Sequence, residues 1–370
     1  MSSPFAARLA RVRSRMAEGG VDVLAVSVGA DLPWLCGYEA MPLERLTMLV
    51  VPVDGEPTLV VPGLEAPRVL ERRDVFRLRP WGETEDPIAL VAELIGPARR
   101  VAIGDRTWAR FLVDLQLAVP DTAFVRGSTV TGPLREVKDD HEIQALRRAA
   151  SAADRVADSL RAGEVPLIGR TEAEVSADLG RRLLAEGHAR VNFAIVAAGP
   201  DAASPHHEPG ARLIEADEVV LCDFGGTMTD EFGVGYCSDI TRCVWTGQVP
   251  EHAAEVYAVL QAAQERSVAS VAVGVACEAV DAAARRPITD AGYGEFFVHR
   301  TGHGIGVEEH EDPYIVDGNA QPVVDGHAFS IEPGIYLPGR FGFRLEDIVV
   351  ATSDGPVRLN RVDRDLVSVA

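Results

Sequence analysis

The chain has 370 residues, with 36 Lys and Arg against 56 Asp and Glu, a formal net charge of −20, and 47% hydrophobic residues. That balance excludes broad nucleic-acid binding, which depends on a basic footprint, and the composition is not that of a disordered chain. No apolar run is long enough to span a membrane, and the opening SSPFAARLARVRSRMAEGG lacks the apolar centre of a signal peptide, so a cytoplasmic protein is expected.

Length predicts two domains. Leu9, Val12 and Met16 fall at helical spacing, with Gly19-Gly20 as the stop. From residue 21 to about 130, short strands (VDVLAVSV, LTMLVVPV, PTLVVP, RVAIG) alternate with helices (DPIALVAELIG and the segment after Asp105). This reads as a small α/β domain without a phosphate loop or metal cluster. Its Trp34, Tyr38 and Trp81 are expected in core or interface rather than in a binding wall. The pattern changes at Gly132-Pro133, which divides the chain into domains 1–133 and 134–370.

Ile143, Leu146, Ala150, Ala153, Val156 and Leu160 then mark a long amphipathic helix, and Thr171 with Glu174 forms a capping box for a second. The strand VNFAIVAAG, a histidine-bearing loop and an acid-bearing hairpin follow. Helices near 251–272 and 277–290, FFVHR, a histidine-rich segment and a second acidic hairpin repeat this helix–helix–strand–hairpin layout. Five cysteines (Cys36, Cys222, Cys237, Cys243, Cys277) form no CxxC pair and read as reduced core residues.

The hairpins carry the chemistry. Glu332 ends AFSIE and Glu346 opens EDIVVA, with Pro338-Gly339-Arg340-Phe341-Gly342 as the turn. Gly339 is the midpoint of the two glutamates, so the register predicts cross-strand partners with Cβ atoms roughly 5 Å apart. Asp223 in VVLCDFGG and Asp239 in GYCSDITRCVW are placed in the same way about Glu231. Opposed like charges destabilise a sheet unless a cation lies between them, which points to metal. Four carboxylates match two divalent cations, and oxygen ligands with one imidazole suit Mn²⁺, Co²⁺ or Zn²⁺.

In chain order, AGPDAASPHHEPG, CDFGG…GYCSDITR, TGHGIG…HEDP, SIEPGIY and FRLED resemble the signatures of the Xaa-Pro peptidases, the prolidase and aminopeptidase P group. The motifs cover roughly 190–350, and the preceding domain matches that family's domain order. The resemblance implies an α/β protein with a small N-terminal domain and a "pita-bread" catalytic domain. By position it places two divalent metal ions, most simply Mn²⁺, on Asp223, Asp239, His303, Glu332 and Glu346. Asp239 and Glu346 would bridge both ions. Asp223 completes one shell, and His303 with Glu332 the other. A metal-bridging hydroxide then attacks the carbonyl before proline, with Glu332 as proton shuttle and His206 and His310 holding the scissile region. Tyr336 and Arg344 match supporting positions. Arg344 lies on the strand face of Glu346, where it could orient a carboxylate. Proline-containing di- or short peptides are the implied substrates and a homodimer the implied assembly.

Two departures qualify the match. TMTDEFGVG lengthens the first hairpin and makes Asp230 a rival to Asp223. Tyr314 stands where some prolidases carry an arginine that recognises the product carboxylate. Among the other histidines, His188, His252 and His327 read as structural, His299 as a support for His303, and His207 as the neighbour of the acting His206. Alternative readings of the same residues are aminopeptidase P acting on longer peptides, a creatinase-like amidinohydrolase, and an inactive binding protein.

Overall fold

The computed structural model describes residues 3–370, and the chain forms two units. One comprises Met1–Arg135 with Asp230–Gly235, the other Glu136–Thr229 with Tyr236–Ala370.

In the first unit, helix Phe5–Gly19 buries Leu9, Val12 and Met16 and stops at Gly20, whose φ of 61° suits a residue without a Cβ. A six-stranded mixed sheet runs in the order Arg77–Trp81, Thr58–Pro62, Met48–Pro52, Val23–Val26, Arg100–Ile103, Ala123–Arg126. Its two outermost strands, RLRPW and AFVR, escape the apolar pattern because edge strands are only partly covered. Pro80 is tolerated there for the same reason. Trp34, Tyr38 and Trp81 are buried in the core, and the Trp81 indole donates to the Leu46 carbonyl at 2.9 Å.

The second unit opens with helix Asp140–Arg161, whose Asp139 and Glu142 form a capping box, and helix Glu172–Ala185, capped by Thr171 and Glu174. Ala153, Val156, Leu160, Val175, Leu179 and Leu183 from these helices pack on Val196, Val220, Phe224 and Val244 of the first sheet. Each fully buried aliphatic side chain of this kind is worth about 1.5–3 kcal/mol. That sheet runs Val367–Val369, Ile240–Thr246, Val219–Thr229, Arg190–Ala198, with Gly235–Cys237 also paired to Val219–Thr229. The C-terminal strand thus returns to the first half.

Helices Glu251–Ser270 and Cys277–Asp290 precede the second sheet, ordered Glu311–Ile315, Gly302–Gly304, Ala328–Ile331, Asp347–Thr352, Gly355–Arg358. Here the two halves diverge. FFVHR begins at the end of a 3-10 turn, Gly294–Phe296, and forms no strand, and the histidine-bearing strand Gly302–Gly304 is short. All five cysteines are free and buried. Among the described residues, no helix is long and apolar enough to cross a membrane.

The second hairpin has the expected register. Gly334–Leu337 pairs with Phe341–Arg344, and farther out Ala328–Ile331 pairs with Asp347–Thr352, every pair centred on Gly339. Glu332 and Glu346 sit in the gap between these two ladders. The first hairpin differs from expectation. Asp223 faces Thr241 and Phe224 faces Ile240, a register centred on Phe232 rather than Glu231. Asp239 is therefore diagonal to Asp223, not opposite it. The tip residue Asp230 explains the shift: its Oδ1 accepts from the backbone N–H groups of Phe232 (2.9 Å) and Val234 (2.8 Å), closing an Asx-type turn.

Candidate functional site

A cavity of about 260 Å³ in the second unit collects Asp223, Asp239, His303, Glu332 and Glu346, together with His206, His310 and Arg344. Strand geometry explains why these side chains converge. Asp239 and Thr241 share a face of one strand, Asp223 lies opposite Thr241, and Glu332 and Glu346 leave the second hairpin where its ladder breaks. His303 is brought in between two glycines. A Cβ at Gly302 would overlap the carbonyl of Ser330, and one at Gly304 that of Asp312, so the short strand can lie flat only with glycine at both places.

Ligating atoms of Asp239, His303 and Glu346 lie within 4.8 Å of one another. The His303 Nδ1 donates to the Gly304 carbonyl at 3.2 Å, which turns Nε2 towards Glu332 Oε1 (3.2 Å) and Asp239 Oδ2 (3.7 Å). A proton or a metal cation on Nε2 serves both acids. Asp223 Oδ2 is held by the Arg344 guanidinium, while Asp223 Oδ1 is buried without any hydrogen-bond partner. An orphaned carboxylate oxygen in a cluster of four acids is what a cation would satisfy, so the residues fit a metal centre.

The electrostatics agree. Burial, and then repulsion from the neighbouring carboxylates, pushes Asp239 and Glu346 well above the usual carboxylate range. Burial also raises Asp223, against the opposing pull of Arg344. Burial would raise Glu332 too, but the hydrogen bond from His303, the charge on that ring and further cationic neighbours together outweigh it and hold this carboxyl at about 2.

Around the acids runs a one-directional hydrogen-bond chain. Arg344 donates to Asp223 through one terminal nitrogen and to the Tyr336 hydroxyl (2.8 Å) through the other. Tyr336 donates to His299 Nε2 (2.8 Å), and His299 Nδ1 donates to the Arg300 carbonyl (2.7 Å). Burial lowers the His299 pKa, in keeping with the neutral ring this chain requires. His299 therefore braces Tyr336 and Arg344, rather than supporting His303 as expected.

His206 lines the cavity, whereas His207 is tied to the buried Glu172 at 2.7 Å. Glu172 also accepts from the backbone N–H groups of Ala198 (2.8 Å) and Gly210 (3.2 Å), so it fixes both ends of the loop that presents His206. The His310 ring stands 4.0 Å from that of His303, and desolvation followed by that neighbour's charge lowers its pKa. Asp230 is not among the cavity residues; it belongs to the hairpin tip in the first unit. Tyr314 does not line the cavity either. It lies under Arg300, which does. His188 bonds the Ser238 hydroxyl at 2.8 Å and is structural.

Several site residues escaped the sequence reading. Thr241 donates to Glu346 Oε2 at 2.8 Å and accepts from Arg344 Nε at 3.2 Å. Ser330 donates to Glu332 Oε1 at 3.2 Å. Each lies two residues from an acid on a strand, the one signal that could have found it. Phe193, Ile195, Arg300 and Glu309 also line the cavity. Glu172 had no sequence signal beyond its place in a helix start.

Residues 144–353 match Metallopeptidase family M24, and residues 8–137 match the Creatinase/Prolidase N-terminal domain. The chain is 42% identical over 369 residues to "Probable dipeptidase PepE" of Mycobacterium tuberculosis, across 99% of this chain and 96% of that protein. It is 34% identical over 376 residues to "Xaa-Pro dipeptidase" of Lactobacillus helveticus, across 97% and 98% of the two chains. The crystal structure of recombinant prolidase from Thermococcus sibiricus superposes with a TM-score of 0.92 at 34% identity, covering 100% of both chains. With both domains matched in order over nearly its whole length, the chain belongs to metallopeptidase family M24.

Proposed function

We propose that the chain is a Xaa-Pro dipeptidase working with two divalent ions, Mn²⁺ foremost with Co²⁺ or Zn²⁺ as alternatives. The observation that carries this reading is the convergence of four carboxylates and the His303 imidazole in one cavity, one carboxylate oxygen being orphaned. Asp239 and Glu346 would be the shared ligands, with Asp223 holding one ion and His303 with Glu332 the other. Divalent cations there supply Lewis acidity, polarising the scissile carbonyl and lowering the pKa of the attacking water.

The chain's own residues do the rest. Glu332, which lines the cavity beside His303, takes a proton from the attacking water. It returns that proton to the imino nitrogen of proline as the carbon–nitrogen bond breaks. His310 and His206, on the cavity wall, donate hydrogen bonds to the scissile region as negative charge develops on its oxygen. Arg344 orients Asp223, and the Tyr336–His299 chain keeps Arg344 in place.

The test is a panel of X-Pro, X-Pro-X and creatine-like substrates with Mn²⁺, Co²⁺ and Zn²⁺ supplied separately to chelated protein. Cleavage of X-Pro should vanish on chelation and return with Mn²⁺ or Co²⁺, and the dipeptide should show the highest kcat/KM. Full activity in verified metal-free protein would sink the reading, and a higher kcat/KM for the tripeptide would move it to an aminopeptidase.

A further inference from the structure

We propose that Arg300 binds the C-terminal carboxylate of the dipeptide substrate, with Tyr314 as the residue that positions its guanidinium; this rests on the dipeptidase reading above. The two arginines of the cavity are used differently. Arg344 is consumed internally by Asp223, Tyr336 and Thr241. Arg300 is half-buried and lines the same cavity, yet among the described residues no carboxylate lies within ion-pair distance of it. Its guanidinium carbon sits 4.3 Å from the centroid of the Tyr314 ring.

The backbone brings the two segments close together. Gly302 pairs with Ile315, and Thr301 N–H donates to the Ile315 carbonyl at 3.0 Å. An aromatic face fixes the plane of a guanidinium while leaving its N–H donors free, so the fork is oriented but unspent. An unpaired cation at the wall of a metal-peptidase site, in a chain of net charge −20, calls for an anionic ligand group. The substrate supplies one. In an X-Pro dipeptide the carbon beside the scissile nitrogen carries a free carboxylate, and in a longer peptide that position is a neutral amide that continues the chain. Arginine and carboxylate pair through two parallel hydrogen bonds, so Arg300 would reward the dipeptide alone. Tyr314 occupies the place where some prolidases carry an arginine. The structure puts its ring beneath a different arginine instead.

The experiment compares kcat/KM for an X-Pro dipeptide, its C-terminal amide and the matched tripeptide, in Mn²⁺-loaded wild type and in Arg300→Met, Arg300→Lys and Tyr314→Leu. The dipeptide should lose roughly 10–100-fold in Arg300→Met, mainly through KM, because a charged hydrogen-bonded pair is lost. The amide and tripeptide should stay within about threefold. Arg300→Lys should recover part of the loss, and Tyr314→Leu should raise KM for the dipeptide by a smaller factor. Product inhibition by proline, but not by prolinamide, should weaken in parallel. Equal losses on acid and amide, or a wild type indifferent to the free carboxylate, would overturn the assignment. Should the wild type cleave only dipeptides without proline, the reading of the reaction fails, while the same acid-against-amide comparison on those dipeptides still decides Arg300.

Discussion

The two acidic hairpins reach the same site by different means. The second is tight. A turn around Gly339 (φ 71°) joins strands in one register from Leu337–Phe341 out to Ala328–Val350, and its two glutamates leave the ladder where it is interrupted. The first is long. Its tip, Asp230–Gly235, belongs to the N-terminal unit, where Phe232 meets the Phe5 ring edge-on at 6.3 Å and its carbonyl accepts from Arg72 at 2.9 Å. Its two aspartates sit on a diagonal, and only Asp223 receives a guanidinium. Acid pairs on opposite sides of one cavity are thus unequal: Asp223 is partly neutralised by protein, while Asp239 and Glu346 face mainly other carboxylates. The inequality favours Asp239 and Glu346 as the shared positions in the metal centre proposed above.

The strongest way to break that comparison is to remove one charge from each aspartate in turn. Asp239→Asn takes an anion from between two cations and should empty both sites. Asp223→Asn should leave about one ion per chain, because the shared ligands remain. Both variants should lose more activity than the about 10–100-fold typical of outer-ligand changes. Elemental analysis of protein shown to be folded by circular dichroism measures this. Equal metal content in the two variants would contradict the inequality.

A smaller effect sharpens the point where the hairpins meet. Thr241 faces Asp223 across the first ladder, donates to Glu346 of the second, and accepts from Arg344. Thr241→Val keeps shape and removes the hydroxyl, leaving Glu346 and Arg344 each one partner short. Metal affinity should fall by about 10–100-fold with the fold intact. Unchanged metal binding, measured by competition with a chelator, would show that the hydroxyl only fills space.

Legibility in the sequence followed the same division. Glu332 and Glu346 were readable as a pair because a compact turn leaves only one register, and Gly339 marked its centre. Asp223 and Asp239 were readable as strand-borne acids but not as a diagonal, since the turn chemistry of Asp230 moves the centre to Phe232. The amphipathic helix from Asp140 announced itself through period and cap together. The edge strand RLRPW did not, because half-covered strands need no apolar alternation. What the sequence could not show was which side chains are already spent: Glu172 on a loop, His299 on Tyr336, Arg344 on Asp223. Such pairings depend on contacts between residues tens of positions apart.

The smallest expected effect separates the tip of the long hairpin from its base. Asp230 is the acid of TMTDEFGVG that rivals Asp223 as a ligand. Yet its Oδ1 is occupied by two backbone N–H groups, and its own N–H donates to the Val234 carbonyl at 2.8 Å. A carboxylate committed in this way holds a turn. Asp230→Ala should therefore lower stability by about 1–3 kcal/mol, the worth of hydrogen bonds to a charged acceptor, without changing metal content. Asp230→Asn keeps an acceptor oxygen in place and should recover most of that loss. Denaturant midpoints and elemental analysis on the same preparations read both quantities. Loss of an ion from Asp230→Asn, with both ions retained in Asp223→Asn, would move the ligand from the base of the hairpin to its tip and reverse the comparison.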